Sequence, residues 1–212
     1  MAAVLAQRHP ALVLKRLGNA GYLETLDAMR TFTRTRGAQT ADELWLLEHP
    51  PVYTLGQRAD AAHGPRAGDI PVVRVERGGQ ITYHGPGQVV LYTLVDLGRR
   101  GIKIRDFVGL MEQAVIDFLA AHAVVGERRT GAPGVYVGGA KVAALGIRVA
   151  RGRAFHGLAL NVDMDLSPFE AIDPCGTPGL RVTQTRDLGI PLTPAQAGER
   201  LAAFLAEGIA HA

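Results

Sequence analysis

Residues 135–162 constrain the fold most. Three strand-like runs, 135–137, 141–150 and 154–162, are separated only by Gly138-Gly139 and by Arg151-Gly152-Arg153. Connections this short join antiparallel neighbours, whereas a parallel pair needs a crossover of about a dozen residues or more. A regular parallel sheet of alternating strands and helices is therefore excluded. Helical patterns flank these strands on both sides. The predicted class is α/β in the α+β sense, a mixed, largely antiparallel sheet with packed helices, in a single domain over residues 1–212.

The remaining elements follow from periodicity and breakers. Residues 12–17 read as a strand. Residues 22–36 read as a helix with Tyr22, Leu26, Met29 and Thr33 on one face. Strands at 43–48 and 52–55 sit either side of Pro50-Pro51, and 58–70 reads as an exposed loop. A strand at 72–76 runs into Arg77-Gly78-Gly79, resumes at 81–83, and breaks at His84-Gly85-Pro86-Gly87. Residues 88–97 form the longest strand-like run. Residues 106–122 are an amphipathic helix carrying Phe107, Met111, Ala114 and Phe118 on one stripe, and 163–179 is irregular. Thr193, Pro194 and Gln196 form a capping box with proline at the first helical position, which opens a last helix.

Composition narrows the function. No run approaches the ~20 apolar residues of a membrane helix, and residues 1–10 lack the long apolar segment and cleavage site of a signal peptide. The chain has a single cysteine, which suits a reducing cytoplasm better than a disulfide-stapled secreted protein and offers little to a structural zinc site. The formal charge is only +3, without the basic runs interleaved with aromatics that mark nucleic-acid binding.

Three constellations carry chemistry. Arg77 to Gly87 reads RGGQITYHGPG: paired glycines let a backbone approach a ligand closely, with Arg77 and His84 as flanking donors. No G-K-[ST] follows and no G-x-G-x-x-G opens a helix, so it is neither a Walker loop nor a dinucleotide fingerprint. Lys141, in GGAKVAALG, is the sole charge between Arg129 and Arg148. It is either snorkelling to solvent or desolvated with a lowered pKa. Cys175 sits in a Pro174-Cys175-Gly176 turn, and turns carry function more often than cores do. A free thiol ionises near 8.5, so a nucleophilic role needs a nearby base or cation. His84, His156 and Lys141 are the choices.

With these in order, the chain resembles the octanoyltransferases of lipoate biosynthesis. The matching stretches are PVYTLGQ at 51–57, RGGQITYHGPGQ at 77–88, GVYVGGAKVAALGIRV at 134–149, FHGLALNVD at 155–163 and PCG at 174–176. It departs from that pattern at Thr93, where the family has proline after the tyrosine; threonine suits a strand better. The resemblance implies a catalytic domain like that of biotin and lipoate protein ligases. It implies that Cys175 carries the acyl thioester and that Lys141 tunes its sulfur. Arg77, Gly78, Gly79, Gln80, Ile81, Thr82, Tyr83, His84, Ala144, Leu145, Gly146, Gly157, Leu158 and Ala159 then bind the acyl substrate. The pattern alone reads residues 157–159 as plain strand. The reaction implied is octanoyl transfer from acyl carrier protein to a lysine of lipoyl domains, in 2-oxoacid dehydrogenase complexes and the glycine cleavage H protein. No cofactor is expected beyond the phosphopantetheine arm that brings the donor, and no metal, nucleic acid or membrane.

Further expectations attach to this reading. Leu55, Val142 and Leu158 are expected to line an apolar tunnel, and N–H groups of Gly78-Gly79 or Leu145-Gly146 to hold an oxyanion. Arg58, Arg66, Arg148, Arg151 and Arg153 are expected as a basic rim for acidic partners. The competing functions are an ATP-dependent lipoate or octanoate ligase, which needs no cysteine, a cysteine–histidine hydrolase, and a non-catalytic binding module.

Overall fold

A computed structural model describes residues 11–60, 64–65 and 68–212. Arg66 and the reading of residues 1–10 lie outside the described residues, as does part of the 58–70 loop. The architecture is a six-stranded sheet in the order β1-β2-β6-β9-β8-β7 and a three-stranded sheet in the order β4-β3-β5. The strands are β1 (Leu12–Asn19), β2 (Asp42–Glu48), β3 (Val52–Leu55), β4 (Val72–Arg74), β5 (Ile81–His84), β6 (Gln88–Leu94), β7 (Gly134–Val137), β8 (Ala140–Ala150) and β9 (Arg153–Asn161). Only β1 with β2 and β3 with β4 are parallel; β2, β6, β9, β8 and β7 form an antiparallel run.

Both faces of the large sheet are covered. Helix α1 (Tyr22–Thr35) lays Tyr22, Leu26 and Met29 against Trp45, Val90, Tyr92, Phe155 and Ala159. Each such buried side chain contributes about 1.5–3 kcal/mol relative to exposure. Helices α3 (Ile104–Ala120) and α4 (Pro194–Ala210) cover the opposite face, with Phe107, Met111, Phe118, Leu201 and Leu205 on Leu91, Leu158 and Leu160. Thr193 and Gln196 cap α4 reciprocally. Among the described residues no helix is long and apolar enough to cross a membrane.

Two readings of the sequence differ from the fold. The strand at 72–76 does not simply resume at 81–83, because β4 and β5 lie on opposite sides of β3 and Arg77-Gly78-Gly79 bridges between them. The longest strand is β8, not the run at 88–97: β6 stops at Leu94, and Asp96 caps a short helix α2 (Leu97–Arg100) by accepting from the Arg99 N–H.

Candidate active site

Cys175 lies in a single 3₁₀ turn, Pro174–Gly176, with a left-handed backbone (φ 57°). Hydrogen bonds from Gly176 N–H to the Asp173 carbonyl and from Thr177 N–H to the Pro174 carbonyl close the turn. The segment that follows is stitched to β8: Lys141 N–H donates to Arg181 O, and Thr183 N–H donates to Lys141 O. The Asn161 side-chain amide adds a bond to Thr183 O. These bonds carry the cysteine turn back to a lysine 34 residues away in the chain.

The Lys141 Nζ lies 2.9 Å from Cys175 Sγ and 3.1 Å from the Pro133 carbonyl. The β7–β8 register shifts by one residue beside Lys141, the local irregularity by which a bulge re-aims a side chain. Gly134, at φ 139°, leaves the space over which the lysine runs; a Cβ there would sit 3.0 Å from Lys141 Cε and 2.7 Å from the Ala143 carbonyl. Lys141 is 3% exposed, so it does not snorkel. Burial disfavours its ammonium, but the Cys175 sulfur and the Tyr136 hydroxyl together outweigh burial, and the pKa is raised rather than lowered. Of the three predicted bases, Lys141 is the one at the sulfur.

Arg77 is a second cation at the site. Its guanidinium is buried and donates to the carbonyl and hydroxyl of Thr54 and to the Gly78 carbonyl. Burial pulls its pKa down, while the Cys175 and tyrosine groups pull it up. Gly146 gives it room: a Cβ there would stand 3.1 Å from Arg77 Cδ and 2.9 Å from the Gly78 carbonyl.

Two cavities meet at the sulfur. A narrow slot of about 50 Å³ and a wider chamber of about 300 Å³ share Gly79, Gln80, Leu145, Gly146 and Cys175 as lining. The slot is walled by Arg77, Ile81, Thr82, His84, Ala144, Gly157, Leu158 and Ala159, all drawn from the sequence, and by Tyr22, Val90, Tyr92 and His156, which the sequence reading left out of the pocket. Gly78 lines the chamber instead. Tyr83 lines neither; it packs on Tyr53 and Phe169. Of the expected tunnel residues only Leu158 lines the slot, since Val142 is in the main core and Leu55 packs against the small-sheet core. The Gln80 side-chain oxygen is buried with no hydrogen-bond partner among the described residues.

His84 is fixed by its neighbours. The Gln88 side-chain amide donates to Tyr83 O and Asn161 Oδ1, so its oxygen must accept from His84 Nδ1–H. That leaves Nε2 as acceptor for the Thr54 hydroxyl, which itself accepts from Arg77. Burial, with His49 beside it, holds the His84 pKa at about 3, so the ring is neutral. His49 donates from Nδ1 to the Ala20 carbonyl and accepts from the Tyr92 hydroxyl at Nε2.

One expectation is corrected. The Gly78 N–H is spent on the Ile147 carbonyl at 2.9 Å and is not available to an oxyanion. Of the rim arginines among the described residues, Arg58 lines the chamber. Arg153 instead bonds the Thr33 carbonyl and pairs with Asp96, Arg148 contacts Gln57, and Arg151 borders a separate groove beneath α1.

The family of the lipoyl protein ligase A/B catalytic domain matches residues 21–206. Among curated proteins, this chain is similar to the octanoyltransferase of Aromatoleum aromaticum, at 60% identity over 91% of this chain and 83% of that protein. It is likewise similar to that of Thiobacillus denitrificans, at 63% identity over 88% and 86%. Among solved structures, a lipoate-protein ligase A bound with ATP superposes with a TM-score of 0.76 at 16% identity, over 96% of this chain and 86% of the other. Biotin protein ligase from Aquifex aeolicus gives 0.56 at 9%, over 96% and 70%. At those identities the likeness is one of fold.

Proposed function

The chain belongs to the lipoyl protein ligase A/B catalytic-domain family, and from that premise we propose that it is an octanoyltransferase in which Cys175 holds the acyl group and Lys141 governs its charge. The observation that carries this reading is the 2.9 Å approach of the Lys141 amine to the Cys175 sulfur where two cavities meet. The slot takes the octanoyl tail, whose burial at ~0.8 kcal/mol per CH₂ favours a medium chain over short ones. The chamber takes the pantetheine arm of an acyl carrier protein and then the lysine of a lipoyl domain.

In the first step the thiolate attacks the thioester carbon. A carbon–sulfur bond forms to Cys175, the bond to the pantetheine sulfur breaks, and the departing sulfur leaves as a thiol with a proton from Lys141. Thioester exchange is nearly isoenergetic, so no ATP is needed. Acylation consumes the charge on Cys175. The larger of the two attractions that raised the Lys141 pKa is then gone, only Tyr136 still opposes burial, and the pKa falls. Lys141 thus becomes a base at the stage when one is required. In the second step the acceptor lysine amine attacks the acyl-Cys175 carbon, its proton passes to Lys141, and Cys175 departs as thiolate. The amide product is more stable than the thioester, which draws the sequence forward. Gly79, Leu145 and Gly146 N–H groups remain the candidates for the oxyanion.

The acceptors on this reading are lipoyl domains of 2-oxoacid dehydrogenase complexes and the glycine cleavage H protein, and the setting is the cytoplasm. A ligase would instead take free octanoate and ATP. Both donors should be offered to the purified protein with a lipoyl domain, whose mass reports the transfer. Gain of one octanoyl from octanoyl-carrier protein and none from octanoate with ATP is the expected result; the reverse overturns the proposal.

A further inference from the structure

His156 is 1% exposed, and neither of its ring nitrogens has a hydrogen-bond partner among the described residues. A neutral imidazole carries one donor and one acceptor, and buried polar groups of this kind are ordinarily satisfied. Its backbone is also unusual, with φ at 62° in the middle of β9. Side chains alternate between faces along a strand. By that rule His156 belongs with Ala154 and Leu158 in the core under α3 and α4. Instead its ring stacks on that of its own neighbour Phe155, with centroids 5.0 Å apart, and meets Tyr92 edge-on at 6.1 Å. Phe155 and Tyr92 belong to the core under α1. The left-handed residue therefore turns the imidazole across the sheet and into the wall of the slot.

One side chain thus combines strained backbone with unmet polar atoms, a combination that persists where function uses it. The other histidines around the slot differ: His49 and His84 have both nitrogens occupied. Burial, opposed by Glu76 and reinforced by Arg77 and Arg30, keeps His156 uncharged, with a pKa of about 3. It therefore suits an uncharged polar group. An unsubstituted octanoyl tail offers it nothing to bond.

Resting on the octanoyl-transfer reading, we infer that His156 is a specificity-determining residue whose free imidazole receives a neutral oxygen on the acyl chain, so that the slot takes hydroxy- or oxo-substituted medium-chain acyl groups as well as the plain chain. The chemistry at Cys175 is unchanged; only the tail differs.

The test is competition between octanoyl-carrier protein and its monohydroxylated isomers, with the hydroxyl placed in turn along the distal half of the chain. Acylation of Cys175 is read by intact mass, and the quantity compared is the ratio of hydroxylated to plain product within each variant, so a general loss of activity cancels. For at least one isomer the ratio falls about fivefold or more in His156→Phe, the effect of one hydrogen bond. It recovers in His156→Asn, which tolerates the left-handed backbone and keeps a donor and an acceptor. In the unmutated protein, the His156 ring ¹⁵N resonances shift on loading that isomer and not on loading octanoyl. An unchanged ratio in His156→Phe, or failure of every hydroxylated isomer to load while octanoyl loads, overturns the inference. Failure of octanoyl itself to load would instead sink the transferase reading.

Discussion

Replacing Lys141 with Met isolates what the amine does to the sulfur. Methionine keeps most of the length and apolar bulk but removes the charge, and with it the 2.9 Å contact to Cys175 and the 3.1 Å bond to the Pro133 carbonyl. Lys141 is 3% exposed, so water is poorly placed to replace it. A hydrogen bond to a charged group contributes about 1.5–3 kcal/mol, which corresponds to roughly 10- to 150-fold in rate. Acylation of Cys175 by octanoyl-carrier protein at pH 7, followed by intact mass under single-turnover conditions, should slow by that factor. Arg77 remains nearby and keeps the loss finite. The fold should hold, because Cys175 can take up a proton once the amine is gone and so leaves no uncompensated buried charge; thermal unfolding checks this. Acylation within twofold of wild type in a folded Lys141→Met protein would refute the role given to the amine.

Other outcomes follow from the same geometry. Cys175→Ser removes the thiolate and leaves only Tyr136 opposing burial, so the Lys141 amine should titrate lower than in the wild type by lysine side-chain NMR; equal values would contradict the charge coupling. Gly134→Ala places a methyl against Lys141 Cε and the Ala143 carbonyl, so it should impair acylation although neither reactive residue is replaced, while a fully active variant would show that the lysine path is not constrained. His84 and His156 are held at about 3 against an ordinary 6.5. They gain protons only on unfolding, so their contribution is complete above about pH 6.5 and is lost as pH falls towards 3, at about 1.4 kcal/mol per pH unit for each. Urea midpoints should drop from pH 7 to pH 5, and the slope should flatten in His84→Gln; an unaltered slope would place the acid sensitivity elsewhere.

Much of the scaffold is written in local signals. Gly138-Gly139 and Arg151-Gly152-Arg153 mark the hairpins of β7, β8 and β9, and the Thr193–Gln196 box marks the start of α4. The Tyr22–Leu26–Met29 stripe marks the buried face of α1. Non-local pairings left no such trace. Nothing in the order of residues 72–84 says that β4 and β5 flank β3. The bridge between Lys141 and Val182 that returns the cysteine turn to β8 is likewise silent in sequence. Asp96 sits within an apolar run, which masks the end of β6 at Leu94 and the start of α2. Within the site, the direction of individual side chains escaped the pattern: Tyr83 turns away from the slot, whereas His156 turns into it through a backbone conformation that histidine does not advertise. The roles proposed for Cys175 and Lys141 rest on the resemblance of the sequence to octanoyltransferases and on the 2.9 Å between the two side chains.

The most direct measurement is to expose the protein to octanoyl-carrier protein, map the site of added mass, and then add a lipoyl domain. One octanoyl on the peptide holding Cys175, labile to hydroxylamine and passing to the lipoyl-domain lysine at a rate fast enough for turnover, is the predicted result. Transfer that proceeds with Cys175 unmodified, or an adduct that stays on Cys175 while the lipoyl domain is octanoylated, would contradict it.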